Sequence, residues 1–233
     1  MGLTRNRDNP RRPPYRDASG RALADYPRPS VAVDTAVLTV RDDGPLCVVL
    51  VRPGRHDDPS AKGRHRLPGT FLHEGERLAE AVLRSLRDKA GVTGLEPSQL
   101  HVFDEPDRDD RGWVLSVAHL VAVPARDLLI DPALAHLAPV VRVGRLAYRH
   151  EAIVELAVSR LRAEYADAPD PRHLLDEPFT LRDLQALHET IAGLELPRDS
   201  FRRAMEPLLH ETGASRRGVV GKPARLFVTE GSR

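Results

Sequence analysis

Apolar and polar positions change rhythm several times along this chain, and each change predicts an element. SVAVDTAVLTV (30–40) and LCVVLVR (46–52) are β-branched runs separated by RDDGP, a spacing that predicts a strand, a tight turn and a strand. QLHVFDE (99–105) and WVLSVAHLVAV (113–123) predict two more strands flanking the polar turn PDRDDRG. Between the pairs the period becomes helical. Leu78, Val82, Leu86 and Ala90 recur every fourth residue within ERLAEAVLRSLRDKAGV (76–92), and Gly91 supplies a stop. The helix is entered through RHRLPGTFLHEGE (64–76), a loop punctuated by Pro68, Gly69 and Gly75. EAIVELAVSRLRAEY (151–165) predicts a second amphipathic helix, with His150 before it as a cap or packing residue.

Beyond it the chain changes character. ADAPDPRH (166–173) reads as a short linker. TLRDLQALHETIAG follows, with Thr180 as N-cap, Asp183 at N3, Leu184, Leu187 and Ile191 facing a core, and Gly193 ending the helix. LPRDSFRRAMEP (196–207) predicts a second short helix with Phe201 and Met205 as its apolar pair, and 208–229 a strand, a Gly-rich tip and a strand. Residues 1–29 hold seven arginines and five prolines with almost no apolar positions, which predicts a flexible basic arm. The organisation expected is an α+β chain: an arm (1–29), one domain at 30–165, a linker (166–173) and a smaller domain at 174–231.

Composition narrows the chemistry. The 35 basic and 34 acidic residues nearly cancel, so affinity for nucleic acid has to come from where the charges sit. They are not evenly spread. Between 198 and 225 stand seven basic residues (Arg198, Arg202, Arg203, Arg216, Arg217, Lys222, Arg225) against three acidic ones. Two helices joined by a tight turn and followed by a hairpin describe a winged helix-turn-helix. Arg198, Ser200, Arg202 and Arg203 would then sit on the recognition helix, Arg216, Arg217 and Lys222 in the wing, and Arg225 beside it. Arg5, Arg7, Arg11 and Arg12 of the arm are candidates for further minor-groove contacts. Cys47 is the only cysteine, which excludes an internal disulfide and a multi-cysteine zinc site. No run is long and apolar enough for a membrane span, so the expectation is a cytoplasmic protein with no membrane partner, cofactor or metal.

The loop and helix at 70–92 resemble the Nudix signature, G-x5-E-x7-R-E-U-x-E-E-x-G-U, where U is bulky and aliphatic. Thr70 stands at the first glycine, Glu76 and Arg84 match, Ser85 replaces the first ligand glutamate, Leu86 matches, and Asp88 and Lys89 occupy the glutamate pair ahead of Gly91 and Val92. In that family the matched Glu and Arg brace loop against helix, while the glutamates hold catalytic divalent metal. The resemblance thus implies a kept brace and a lost metal shell, and no catalytic residue. Arg52, Arg55 and Phe71 are candidates for a nucleotide pocket.

The Nudix-like half, EPFTLRDLQALHETIAG, FRR and GKPARLF together resemble the NrtR family of bacterial regulators of NAD metabolism, over roughly residues 30–230. That resemblance implies an N-terminal Nudix-like α/β/α domain followed by a winged helix-turn-helix. It further implies a homodimeric repressor of NAD biosynthesis or salvage genes that binds double-stranded operator DNA and senses ADP-ribose or a related nucleotide. Half-sites for such a dimer lie about one helical turn, ~34–36 Å, or a multiple of it apart. The alternatives are an active Nudix pyrophosphatase using Asp88 with carboxylates such as Glu74 or Glu80, and a noncatalytic scaffold whose C-terminal half binds protein.

Overall fold

The computed structural model describes residues 15–41, 44–54, 61–216 and 223–229. Strand β1 (Ser30–Val40) is the spine of a six-stranded sheet. From Ser30 to Leu38 it runs parallel to β5 (Val114–Ala122), which pairs antiparallel with β4 (Ser98–Phe103). On its other edge the C-terminal half of β1 pairs with β2 (Leu46–Val51), and its N-terminal half pairs with the short β3 (Gly69–Phe71). β6 (Ala135–Pro139) completes the sheet beside β2.

Alternation in β1 assigns its faces. Val33 and Val37 pack with Ala81, Val82 and Leu86 of helix α1 (Leu78–Ala90), whereas Ala36 and Leu38 pack with Ile153, Val154, Ala157 and Leu161 of helix α2 (His150–Asp167). The sheet is thus covered on both sides, which explains why its central strands are almost continuously apolar. Helix α1 ends as its sequence predicts. Gly91 takes a left-handed φ of 69°, so its N–H reaches the Arg87 carbonyl and Val92 N–H reaches Leu86.

The C-terminal half is a helix pair under a small sheet. β7 (Phe179–Thr180) leads into α3 (Leu181–Ala192), and a turn leads to α4 (Arg198–Met205). β8 (Leu209–Arg216) and β9 (Ala224–Thr229) form the wing, with sheet order β7-β9-β8. Thr180 caps α3 reciprocally: its Oγ1 accepts from Asp183 N–H, and the Asp183 carboxylate accepts from Thr180 N–H. Phe179, Leu184, Phe201, Met205, Leu209 and Phe227 make this half's own core.

The predicted linker differs most from its expectation. Helix α2 runs through Asp167, and Asp170 is buried, accepting from Tyr165 Oη at 2.5 Å and from the N–H groups of Leu174 and Leu175 at 2.9 Å each. His188 of α3 meets the Pro169 carbonyl at 2.6 Å and packs edge-on against Tyr165 and Phe201. Leu187 and Ile191 of α3 also join the core that holds α2. What reads as Ala/Pro/Asp punctuation is therefore a packed joint, because one buried aspartate ties together the backbone after the helix.

Smaller differences follow from local rules. Strand β6 was not anticipated, since AHLAP lacks β-branched residues and ends in proline; it survives as an edge strand. Within the expected arm, residues 1–14 lie outside the described residues. From residue 17 the chain carries local order, with Asp17 accepting from Ser19 and Arg21 and a 3-10 turn at Leu23–Asp25. Among the described residues no helix is long and apolar enough to cross a membrane.

Candidate functional site

The loop before α1 is fixed by one bidentate ion pair. Arg84 donates through Nε to Glu76 Oε1 at 2.7 Å and through Nη2 to Oε2 at 2.9 Å, then reaches the Thr70 hydroxyl at 3.1 Å and the Phe71 carbonyl at 2.9 Å. Glu76 also accepts from His73 N–H. The Arg84 fork, followed by that backbone bond, draws the Glu76 carboxyl down to about 2. In turn Arg84 holds β3 at the level where the sheet splits between β2 and β3.

Beside β3 opens a cavity of about 230 Å³, lined among others by Asp34, Arg66, Phe71, Lys89, Arg108 and Tyr148. Asp34 is its buried floor. Ser116 donates a 2.5 Å hydrogen bond to Oδ2, and His150 Nε2 lies 3.3 Å from Oδ1. Since Leu67 N–H donates to His150 Nδ1 at 3.0 Å, the proton sits on Nε2, facing the carboxylate. Burial pushes the imidazole below its ordinary value against the opposing pull of Asp34, so the ring is a neutral donor near pH 7. Gly69, directly across from Asp34 on β3, has no alternative: a Cβ there would collide with Oδ1.

Opposite this floor, Asp109 is buried and grips Arg111 by Nε at 2.9 Å and Nη2 at 2.7 Å. Burial raises the Asp109 carboxyl, but the Arg111 bonds outweigh it and leave the group below its ordinary value. The cavity thus offers arginines and a lysine for a polyanion, one carboxylate floor for hydroxyl or amino donors, and two aromatic rings.

The helix positions that resemble metal ligands are arranged for something else. Ser85 is 1% exposed, and its hydroxyl meets no hydrogen-bond partner among the described residues. Asp88 points outward to Arg87 Nε at 2.9 Å, and Lys89 brings a cation to the cavity. One exposed carboxylate beside an ammonium does not suit a hard dication that wants about six oxygens. Among the described residues no group of three or more His, Cys, Asp or Glu is placed to hold a metal ion.

Of the sequence-derived pocket candidates, Phe71 lines the cavity, while Arg55 lies outside the described residues. Arg52 is a correction: its N–H donates to the Leu134 carbonyl at 2.8 Å and its Nε to the Pro132 carbonyl at 2.9 Å, so it is engaged by the segment leading into β6 and is not among the residues lining the cavity. His150, read as a cap or packing residue, is part of the cavity wall. Sequence reasoning missed Asp34, Arg66, Arg108, Asp109, Arg111 and Tyr148. A charged residue in the middle of SVAVDTAVLTV was the one available signal.

In the second half, α4 turns Phe201 and Met205 inward and exposes Arg198, Ser200, Arg202 and Arg203 on its outer side. Several of these arginines already have partners. Glu206 accepts from Arg202 Nε at 2.6 Å and also pairs with Arg225, which reaches Glu211 as well. Arg216 spans from the wing to Asp183 at 2.9 Å and to the Pro178 carbonyl. Arg217 and Lys222, and Arg5, Arg7, Arg11 and Arg12 of the arm, lie outside the described residues.

Known proteins resemble each half and the whole chain. Residues 171–228 match the NrtR DNA-binding winged helix domain. The chain is 28% identical over 214 residues to the ADPR responsive transcriptional repressor NtrR of Acinetobacter baylyi, covering 88% of this chain and 83% of that protein. It resembles the crystal structure of Shewanella oneidensis NrtR complexed with a 27mer DNA at 32% identity and a TM-score of 0.68, over 86% of this chain and 93% of that one. The NUDIX domain of the same Shewanella protein, solved with ADP ribose, matches at 28% identity and a TM-score of 0.51, over 61% and 95% of the two chains. The ADP-ribose pyrophosphatase of Methanocaldococcus jannaschii is 33% identical over 132 residues, 56% of this chain and 73% of that enzyme.

Proposed function

Since the chain belongs to the NrtR family of Nudix-related transcriptional regulators, we propose that it is a ligand-responsive repressor of NAD biosynthesis or salvage genes. It acts in the cytoplasm as a homodimer that holds operator DNA through α4 and the wing, and ADP-ribose or a close relative occupies the cavity beside β3.

The observation that carries this reading is helix α2. It begins at His150 in the cavity wall and reaches Tyr165 and Asp167 at the joint, where Asp170 and His188 link it to α3 and, through Phe201, to α4. Eighteen residues of helix make a rod of about 27 Å at 1.5 Å per residue. A ligand that moves one end of that rod biases the recognition helix at the other, and in a dimer a small change of tilt alters the separation of the two half-site contacts. A ligand shifts this equilibrium only through its different affinity for the two geometries.

The cavity binds without hydrolysing. Ser85, Asp88 and Lys89 leave no carboxylate shell for Mg²⁺, whereas the Glu76–Arg84 brace keeps the loop in a binding shape. Similarity to an ADP-ribose pyrophosphatase over the N-terminal half then bears on what the cavity accepts rather than on turnover. Of the exposed arginines, Arg198 and Arg203 need no carboxylate released to meet DNA, while Arg202, Arg216 and Arg225 exchange intramolecular partners for phosphate.

Fluorescence anisotropy of the full chain on a labelled duplex from upstream of its own gene or of NAD-synthesis genes tests this. Binding is expected to be tight, steep in salt, unmatched by an unrelated duplex, and altered by ADP-ribose. Equal weak binding to every duplex overturns the DNA assignment, and Mg²⁺-dependent release of AMP from ADP-ribose overturns the noncatalytic one.

A further inference from the structure

The cavity beside β3 is partly filled by the protein itself. The Arg111 guanidinium carbon lies 4.0 Å from the centroid of the Tyr148 ring and 4.9 Å from that of Phe71, and all three side chains line the same cavity. A guanidinium is flat and delocalised, so it stacks on aromatic faces in much the way a heteroaromatic base does. With Arg111 in this position the remaining space is about 230 Å³, below the roughly 300–1,000 Å³ usual for small-molecule sites. A nucleoside diphosphate sugar would gain a stacking place there if the guanidinium left the two rings.

The surroundings show what holds still and what moves. Tyr148 and Arg149 are consecutive non-glycine residues in the left-handed region, at φ 57° and 55°. Such conformations persist where packing over-determines them, and they cluster at ligand clamps. The Tyr148 ring is therefore held in place by strained backbone directly ahead of α2. Arg111 sits in the exposed turn between β4 and β5 and is retained there by side-chain contacts: its grip on Asp109 and its stacking on the two rings. The Arg111 N–H also bonds Asp109 at 3.0 Å, so the turn can stay in place while rotation of the Arg111 side chain would vacate the space between the two rings.

We propose that Arg111 is a stand-in for the base of the ligand. Phe71 and Tyr148 form a base subsite that Arg111 fills in the ligand-free protein, and a purine nucleoside diphosphate displaces it while Arg66, Lys89 and Arg108 meet the diphosphate. The inference rests on the nucleotide reading of this cavity and adds a competition inside the protein. Ligand affinity is set partly by a residue that has to leave, so the sensor's threshold is written into the strength of the Arg111 contacts.

The test is calorimetry on the full chain with ADP-ribose and, as a probe without a base, inorganic pyrophosphate. Arg111→Ala is expected to tighten ADP-ribose about tenfold, a change equivalent to about 1.4 kcal/mol, while pyrophosphate binds no more tightly than before. Phe71→Leu is expected to weaken ADP-ribose and to leave pyrophosphate unchanged. Trp113, the chain's only tryptophan, stands two residues from Arg111 and is 49% exposed. Its emission should change with ADP-ribose more than with pyrophosphate. If the wild-type protein binds ADP-ribose but Arg111→Ala weakens it or leaves it unchanged, Arg111 is an ordinary ligand contact or a bystander, and this inference alone falls. If folded wild-type and variant chains both fail to bind ADP-ribose, the nucleotide reading falls with it.

Discussion

The cavity and the joint are each organised by one buried aspartate, and the two differ in what they face. Asp34 and Asp170 are 5% and 4% exposed, and each accepts from a hydroxyl and from a further N–H donor. Asp170 points into packed protein, where Tyr165, Leu174 and Leu175 consume its acceptor capacity. Asp34 has Ser116 and His150 on one side and a cavity on the other. The same carboxylate chemistry thus serves architecture where it is enclosed and recognition where one side is open. Burial alone does not distinguish them; the free side does.

The sharpest way to break that distinction is to delete each carboxylate and compare stability with binding. Asp170→Ala leaves the Tyr165 hydroxyl and two backbone N–H groups buried without acceptors. Each such group costs about 1–3 kcal/mol, so a loss of at least about 3 kcal/mol is expected in urea unfolding. A loss under about 1 kcal/mol would mean that Asp170 does not hold the joint.

Asp34→Ala is expected to be milder for stability, about 1–2 kcal/mol, because the cavity lets water reach the orphaned donors. Its larger effect falls on the ligand, with ADP-ribose affinity lowered at least about tenfold by calorimetry, equivalent to about 1.4 kcal/mol. Gly69→Ala sharpens the point, since its new methyl group displaces the Asp34 carboxylate without removing it. If Gly69→Ala binds ADP-ribose normally, the position of Asp34 is irrelevant to recognition and the comparison fails.

These two aspartates also mark how far the sequence could be read. Periodicity located α1, α2, α3 and α4 and most strands, since each buries one apolar face, and the Glu76–Arg84 brace was legible because it lies within one contiguous signature. The cavity was not. It is assembled from β1, the loop after it in space, the turn between β4 and β5 and the start of α2, so Asp34 meets His150 across more than a hundred residues of chain. Asp170 was hidden differently: in ADAPDPRH an aspartate beside prolines has the composition of a loop, and only packing shows that it is a buried acceptor. Arg52 misled for the opposite reason, since nearness along the chain to a loop is not nearness to a cavity.

A third carboxylate, Glu76, extends the comparison to the surface and carries the smallest expected effect. Arg84, with the backbone N–H of His73, draws its pKa from 4.5 down to about 2 in the folded chain. The folded state therefore holds its proton less tightly than the unfolded state does. That contribution to stability is complete above about pH 5 and is lost as pH falls from 4.5 toward 2. Glu76→Gln keeps the shape and removes the titration, so its melting temperature should lie below that of the wild type near pH 7 and converge with it as the pH approaches 2 to 3. Because the pair is only part-buried and still reached by solvent, the gap should be small and should narrow further in high salt. The absence of any gap near pH 7 would mean that the loop is held by Arg84 reaching Thr70 and Phe71 and not by its ion pair with Glu76.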